Sequence, residues 1–548
     1  MNALRFASSL APLLTMLLVT TETAAQQRPE VSGPTAAVTA GHPLAAAAGA
    51  EVLRNGGNAI DAAITMAGVL SVVRPHMNGI GGDAFVIYRE AKSGKVYALN
   101  GSGRAGRSAT PEYMRTKGHE RMPSSGIRTA TVPGAVRAWS DALERFGTIR
   151  FADALRPAIG YAENGFVVSH KLSSDINGAI RAISSDAEMM RTFTVDGAAP
   201  APGTILRQPE LAASLRALAD RGADEFYRGA LARTIGTFVE REQGLFNVAD
   251  LAAHTSTWTD PISTTYHGLR VFAFPPNSQG LALLMQLNMA ERFDLKAMGH
   301  NTPDYLHTLV EIKKLAFAER DRYVSDPAFS QIPVERLISK SFAQELAGRV
   351  QPRAATTTAE RDGQGDTVYM CAVDAEGNMV VMIQSLFDTF GSKRMVPGTG
   401  IVLHNRGAGF TLDQTHANVI APGKRPYHTL SPAMVLREDG SPFMAIGTPG
   451  GDSQTQTILQ VINNIHLFGM QPQFAVEAPR YRSYENGRLL IDAGIGEAAF
   501  ARLRELGHDA RPQQTPSAEM GSAQVILILD GMKRTGADLR REAYGIAW

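Results

Sequence analysis

The chain has 548 residues, 44% hydrophobic and 20% charged, which supplies apolar material for a large core. Its 54 basic and 53 acidic residues leave a formal net charge of +1, and no basic block dominates, so nucleic acid and anionic membrane are excluded as expected partners. The single cysteine, Cys371, excludes an intrachain disulfide and a cysteine-based metal cluster. Neither a metal nor a cofactor is expected.

At the N-terminus, Arg5 is followed by an apolar stretch over 10–19 and by Thr23-Ala24-Ala25. A positive region, a short hydrophobic core and small residues predict a secretory signal peptide over residues 1–25. The apolar core is too short for a good membrane span, and a retained anchor is the alternative. The expected mature protein is periplasmic or secreted, without stable membrane insertion.

Residues 43–73 read as two Ala-rich helices broken at Asn55-Gly56-Gly57. A Gly-rich turn over 73–83 then leads into a strand at 84–88. A phosphate loop would need a lysine after the glycines and a helix following, so nucleotide binding is rejected. His76 reads as a structural histidine. The strand at 96–100 ends in Gly101-Ser102-Gly103-Arg104, where a cation suits an anionic substrate and, equally, a solvated loop.

From 133 to 323 the pattern is mainly helical, with 3.6-type spacing at 211–219, 231–239, 281–293 and 305–317. Asp304 marks the N-cap region of the last of these, and its charged run over 311–322 reads as a solvated face. Residues 275–280 form a rigid turn.

A polar, Gly-containing loop over 356–366 runs into an apolar strand that begins at Thr367. The turn Asp374-Ala375-Glu376-Gly377 and a second apolar run at 379–383 complete a hairpin signal. Cys371, inside the first run, reads as a buried small hydrophobe rather than a reactive thiol. Thr367 stands at the first strand position. A cut before it would place a free α-amine, of reference pKa about 8, beside its own hydroxyl: nucleophile and base on one residue. Taken alone, a threonine there is an ordinary strand start.

Beyond it, strand-like runs at 400–403, 433–436 and 443–446 alternate with Gly/Pro turns. Gly447-Thr448-Pro449-Gly450-Gly451-Asp452 then leads into a helix at 458–468. Glycines at a strand-to-helix junction expose backbone N–H groups suited to an anion or oxyanion, and they are also common as plain turns. A helix at 494–507 and a strand at 524–529 follow. The C-terminal third thus reads as α/β and the middle as helical.

Several segments together resemble the γ-glutamyltransferase family of N-terminal-nucleophile hydrolases. They are Gly56-Gly57-Asn58-Ala59-Ile60-Asp61-Ala62-Ala63, Gly79-Ile80-Gly81-Gly82, Thr131-Val132-Pro133-Gly134, Gly365-Asp366-Thr367, Phe390-Gly391-Ser392, Gly423-Lys424-Arg425-Pro426 and Pro449-Gly450-Gly451. They occur in family order from about residue 35 to the C-terminus. The resemblance implies an α/β fold, a four-layer αββα sandwich. It implies one precursor that cuts itself between Asp366 and Thr367, giving a large subunit (26–366) and a small subunit (367–548) that stay together. It implies Thr367 as nucleophile, Gly450 and Gly451 as oxyanion donors, and Ser385 where the family has a second threonine hydrogen-bonded to the nucleophile. A threonyl acyl-enzyme would pass its acyl group to water or an amine acceptor, and the partner is a small-molecule amide.

The substrate-recognition positions depart from the family. Ser102 stands where an arginine grips the α-carboxylate, with Arg104 two residues away. Phe387 and Gly409 replace the asparagine and aspartate that hold the α-amino group. His428 and Thr429 replace the paired serines. The loop between Phe410 and Arg425 is shorter than in members with a lid, which favours water over an amine acceptor. An amine in a partly closed site needs acceptors that these replacements remove. Together with Ile383-Gln384-Ser385 and Gly451-Asp452, this pattern resembles the branch with cephalosporin-acylase-like and oxamate-amidohydrolase-like members. The family-default substrate is glutathione or another γ-glutamyl compound, and a different acyl amide is the alternative. The non-enzyme alternative is a binding protein on this fold.

Overall fold

The computed structural model describes residues 28–356, 365–514 and 516–548. The expected signal peptide and most of the polar loop ahead of Gly365 lie outside the described residues.

Two seven-stranded sheets form the centre. One runs, in spatial order, Tyr544–Ala547, Ala37–Ala40, Asp366–Val373, Met379–Phe387, Asp83–Arg89, Val96–Gly101 and Thr257–Thr259. The other runs Val31–Gly33, Met532–Ala537, Gln524–Leu529, Pro442–Gly447, Ala433–Arg437, Leu269–Ala273 and Ile262–Tyr266. The period-2 alternation of side chains sets the layers. Tyr369, Cys371 and Val373 pack between the sheets with Met434, Ala445 and Ile526. Val368, Met370 and Ala372 point the other way, into a core with helices Pro43–Arg54 and Ala59–Val73. On the second sheet, Val435, Met444, Ile446 and Val525 pack outward with helices Gly280–Ala290, Pro303–Tyr323 and Gln454–His466. Each sheet is covered on both faces, which is why its strands read as near-continuous apolar runs. The result is the expected αββα sandwich.

The hairpin is tied to the helical layer. Asn58 and Asp61 form a capping box at the start of Ala59–Val73, and the Ala59 N–H donates to Asp374 Oδ2 at 3.0 Å, so the hairpin turn caps the same helix. Every residue of that helix is buried. This explains its small side chains: a bulkier set would hold the layers apart. No helix among the described residues is long and apolar enough to cross a membrane.

Two expectations need correction. The stretch 133–323 is not purely helical, because Thr257–Thr259, Ile262–Tyr266 and Leu269–Ala273 are strands at the edges of the two sheets or next to them. Runs of three to five residues are too short to show a period against flanking helices. The charged run over 311–322 is not a solvated face. Glu311, Lys313 and Arg320 are buried, because Pro303–Tyr323 is packed on several sides and its charges pair internally. Lys313 Nζ lies 3.2 Å from Glu485, Arg320 Nη1 2.9 Å from Asp452, and Lys314 Nζ 2.7 Å from Glu311. The helix is capped by Thr302 rather than Asp304.

Candidate active site

Thr367 sits on the third of seven strands, beside the central strand that carries Ser385. Pairing between these strands is regular from Val368 to Val373, but the register shifts between Asp366 and Val368. Such an irregularity re-aims a side chain. Here it turns the 2%-exposed Thr367 towards Ser385. Thr367 Oγ1 donates to Ser385 Oγ at 3.3 Å, Ser385 Oγ donates to the Asp366 carbonyl oxygen at 2.6 Å, and the Phe387 N–H donates to Ser385 Oγ at 2.6 Å. Phe387 has φ +81°, a left-handed conformation that a bulky residue holds only when its surroundings impose it.

The Asp366 side chain accepts from the Thr389 hydroxyl and, at 3.2 Å, from Arg541 Nη1. Burial opposes its ionisation, but Arg541, His76 and the Thr389 hydrogen bond outweigh it and hold the carboxyl below its usual range. A cavity of about 330 Å³ opens beside it, lined among others by Arg74, His76, Asp175, Lys393 and Arg541.

The strand Pro442–Gly447 from the other sheet delivers Gly450 and Gly451. Gly450 has φ +132° and Gly451 φ +59°, so Gly450 in particular adopts a backbone closed to other residues. Ser453 clamps the Gly450 carbonyl through N–H and hydroxyl, at 3.1 and 2.9 Å, and Gln279 Nε2 holds the Gly451 carbonyl at 3.0 Å. The carbonyls are thus fixed, while neither N–H has a partner among the described residues. A Cβ placed on Gly365 would lie 2.8 Å from Gly451 Cα, so the chain just before Thr367 lies against this turn.

The expected recognition residues divide. Ser102 is buried, and its hydroxyl accepts from Asn277 at 3.3 Å. Arg104 donates to the Thr255 carbonyl at 3.2 Å and makes no hydrogen bond to Thr367, Ser385, Gly450 or Gly451. Gly409 accepts at its carbonyl from Asn418 at 2.7 Å. Phe387 lies directly across the strand pair from Asp366. His428 is fully buried, 3.2 Å from Asp83, with its pKa pushed down to about 3 by burial and by Arg406, so it is neutral. Thr429 Oγ1 accepts from Arg406 at 3.2 Å. Asp452 accepts from Arg320 at 2.9 Å and from Tyr427 at 2.8 Å.

Sequence reasoning missed Gln279, Arg320, Thr389, Arg406, Tyr427 and Arg541. Gln279 lies inside the 275–280 turn that was recognised only as a turn. Arg320 was hidden in the charged run. The others meet the site from distant parts of the chain, and no local spacing marks them. The described residues contain one group with metal-ligand chemistry, His307, Glu311 and His508. There His307 Nδ1 and His508 Nε2 lie 2.8 Å apart, and Glu311 already pairs with Lys314.

A family model described as gamma-glutamyltranspeptidase matches residues 45–548. A glutathione hydrolase-like YwrD proenzyme of Bacillus subtilis is 38% identical over 527 residues, covering 94% of this chain and 99% of that protein. An oxamate amidohydrolase proenzyme of Klebsiella pneumoniae is 36% identical over 497 residues, 89% of this chain and 93% of that one. The crystal structure of a cephalosporin acylase from Bacillus halodurans superposes with a TM-score of 0.91 at 35% identity, covering 97% of this chain and 99% of that one. By sequence over most of its length and by fold, this chain belongs to the gamma-glutamyltranspeptidase family.

Proposed function

We propose that the protein is a self-cleaving threonine amidohydrolase that removes a short acyl group from an amide and passes it to water. The observation that carries this is the contact chain Thr367 Oγ1, Ser385 Oγ, Asp366 carbonyl. It joins a hydroxyl, a relay and the carbonyl of the bond to be broken. Thr367 Oγ1 adds to the Asp366 carbonyl carbon and its proton leaves towards Ser385. The C–N bond breaks, giving an ester and a free Thr367 amine, and water hydrolyses the ester to a new C-terminal carboxylate on Asp366. The products are a large subunit ending at Asp366 and a small subunit beginning at Thr367. In the cleaved enzyme the same hydroxyl attacks the substrate amide and the new α-amine takes the proton. The N–H groups of Gly450 and Gly451, without a partner among the described residues, stabilise the oxyanion, each such donor being worth about 10²–10³ in rate.

The amino-acid clamp is rewritten at Ser102, Phe387, Gly409, His428 and Thr429, which favours an acyl group without an α-amino requirement. The cephalosporin acylase and oxamate amidohydrolase relatives are in line with that reading. A γ-glutamyl substrate is the second reading, favoured by the glutathione hydrolase-like relative. Residues 1–25 are assigned to export, with the mature protein in the periplasm or medium. Intact mass of purified protein is the direct test: two fragments split at Asp366–Thr367 are expected, and Thr367→Ala stays whole. A wild-type chain that also stays whole rules the mechanism out.

A further inference from the structure

His76 is buried, but only one side of its ring is used. Nε2 lies 3.2 Å from Asp175 Oδ2, while Nδ1 is buried with no hydrogen-bond partner. A histidine with a purely structural role would have both ring nitrogens satisfied. Asp175 stands on the helix His170–Ile183 and is also held by Lys171 and, at 3.6 Å, by Arg74. Burial opposes its ionisation, but His76, Arg74 and Lys171 outweigh it, so it is a carboxylate. A carboxylate at Nε2 draws the ring proton to that nitrogen and leaves the Nδ1 lone pair free. Burial and Arg74 push the His76 pKa down, so the ring is neutral and can take up a proton.

His76 and the residue before the bond to be cut share one space. Both line the cavity of about 330 Å³, together with Thr389, Lys393 and Arg541. A water molecule needs only about 10–15 Å³ of such space and two to four polar partners, and this lining supplies them. The backbone fixes the arrangement. The Phe390 N–H donates to the His76 carbonyl at 2.6 Å, and the Leu386 N–H donates to the Met77 carbonyl at 3.0 Å. Residues 76 and 77 are thereby clipped to the strand end that carries Ser385. Thr389, between the two clips, holds the Asp366 side chain.

Self-cleavage through an acyl shift ends in an ester between the Asp366 carbonyl carbon and Thr367 Oγ1. Its hydrolysis needs a base for the attacking water. Ser385 donates its proton to the Asp366 carbonyl oxygen, and the Asp366 carboxylate is engaged by Thr389 and Arg541. His76 Nδ1 has no such engagement.

We infer that His76, oriented by Asp175, is the general base that activates the water in the ester-hydrolysis step of self-cleavage. This rests on the self-cleavage reading above and assigns its last step. Water adds to the Asp366 carbonyl carbon while its proton passes to His76 Nδ1. The bond from that carbon to Thr367 Oγ1 then breaks, and Oγ1 takes the proton from His76. The products are the Asp366 α-carboxyl group and a free Thr367, with the imidazole returned to its neutral form. Asp175 is a positioning residue, which holds the ring and stabilises the imidazolium between the two transfers.

The test separates ester from amide. An ester-linked chain has the mass of the uncut precursor, but neutral hydroxylamine attacks its carbonyl and splits it, leaving a hydroxamate on Asp366. Wild type should be found as two fragments with a carboxylate at Asp366. His76→Gln should form fragments about 10²-fold more slowly or worse, the scale of a lost general base. Hydroxylamine added to the native variant should release the fragments, with the hydroxamate at Asp366 read by mass. Asp175→Asn should slow the same step and show the same lability. That lability requires a folded centre that has completed the acyl shift, so a misfolded variant cannot produce it. Wild-type cleavage in His76→Gln would overturn the assignment and leave the Thr367 α-amine as the base. A His76→Gln chain that stays whole in hydroxylamine would overturn it too, since the block would then precede the ester. In both cases a cleaved wild type keeps the self-cleavage reading. A wild type that is neither cleaved nor split by hydroxylamine removes that reading, and this one with it.

Discussion

The Ser385 hydroxyl donates to the carbonyl oxygen of Asp366 at 2.6 Å, across the strand pair and one residue before Thr367. Ser385 Oγ in turn accepts from Thr367 Oγ1 at 3.3 Å, so one side chain faces both the attacking hydroxyl and the bond to be cut. Ser385→Ala removes the donor to the developing oxyanion and should slow self-cleavage by about 10²–10³-fold. Ser385→Thr keeps the hydroxyl and should still cut. A time course of the two fragments by denaturing gel decides this, and cleavage of Ser385→Ala at the wild-type rate would refute the role.

Gly365 contributes by lacking a side chain. A Cβ there would meet Gly451 Cα at 2.8 Å and Gly451 N at 3.2 Å, and both are backbone atoms that cannot swing aside. Gly365→Ala should therefore displace the segment before Thr367 and slow self-cleavage at least about tenfold, since small misplacements of reacting groups are costly. The same gel assay reads it.

The buried charges on Pro303–Tyr323 should matter for stability. Arg320 faces Asp452 at 2.9 Å and Glu485 at 3.6 Å, and Lys313 faces Glu485 at 3.2 Å. Arg320→Met strands buried carboxylates and should destabilise the fold by about 3–5 kcal/mol, measured by urea unfolding. A loss below about 1 kcal/mol, the level of an exposed pair, would mean that solvent reaches the cluster.

Acid should weaken the fold through its buried histidines. Burial pushes the pKa of His254 down to about 3, with Arg425 adding to the effect, and its ring stacks on Tyr227. The unfolded chain takes up this proton near pH 6.5, whereas the folded chain does so only near pH 3. The stabilising contribution is therefore complete above pH 6.5 and falls by about 1.4 kcal/mol per pH unit below it, down to the folded pKa. His254→Phe should remove about that much slope between pH 6 and 4 in unfolding measurements, and an unchanged slope would refute it.

Cys371 should be silent. Burial raises its thiol pKa to about 11, and its sulfur lies 3.0 Å from Thr39 Oγ1 between the two sheets. Ellman's reagent should find no thiol in the native protein and one after denaturation.

Local sequence determined the elements that the chain can form from its own neighbours. The helices at Pro43–Arg54 and Ala59–Val73, the hairpin around Asp374–Gly377 and the Gly450–Gly451 junction carry period, cap and turn signals within about twenty residues. The family-ordered segments around them made Thr367 and Ser385 candidates before any geometry was known. Tertiary structure decided what no local period can encode. It made strands of Ile262–Tyr266 and Leu269–Ala273 by pairing them in a sheet with Ala433–Arg437. It buried Arg320 by supplying Asp452 and Glu485 from more than a hundred residues away. It also brought Arg406 against Phe387 and Thr429 with one edge open. Backbone propensity and amphipathic spacing are local. The desolvation and pairing of charge depend on which distant groups the fold brings together.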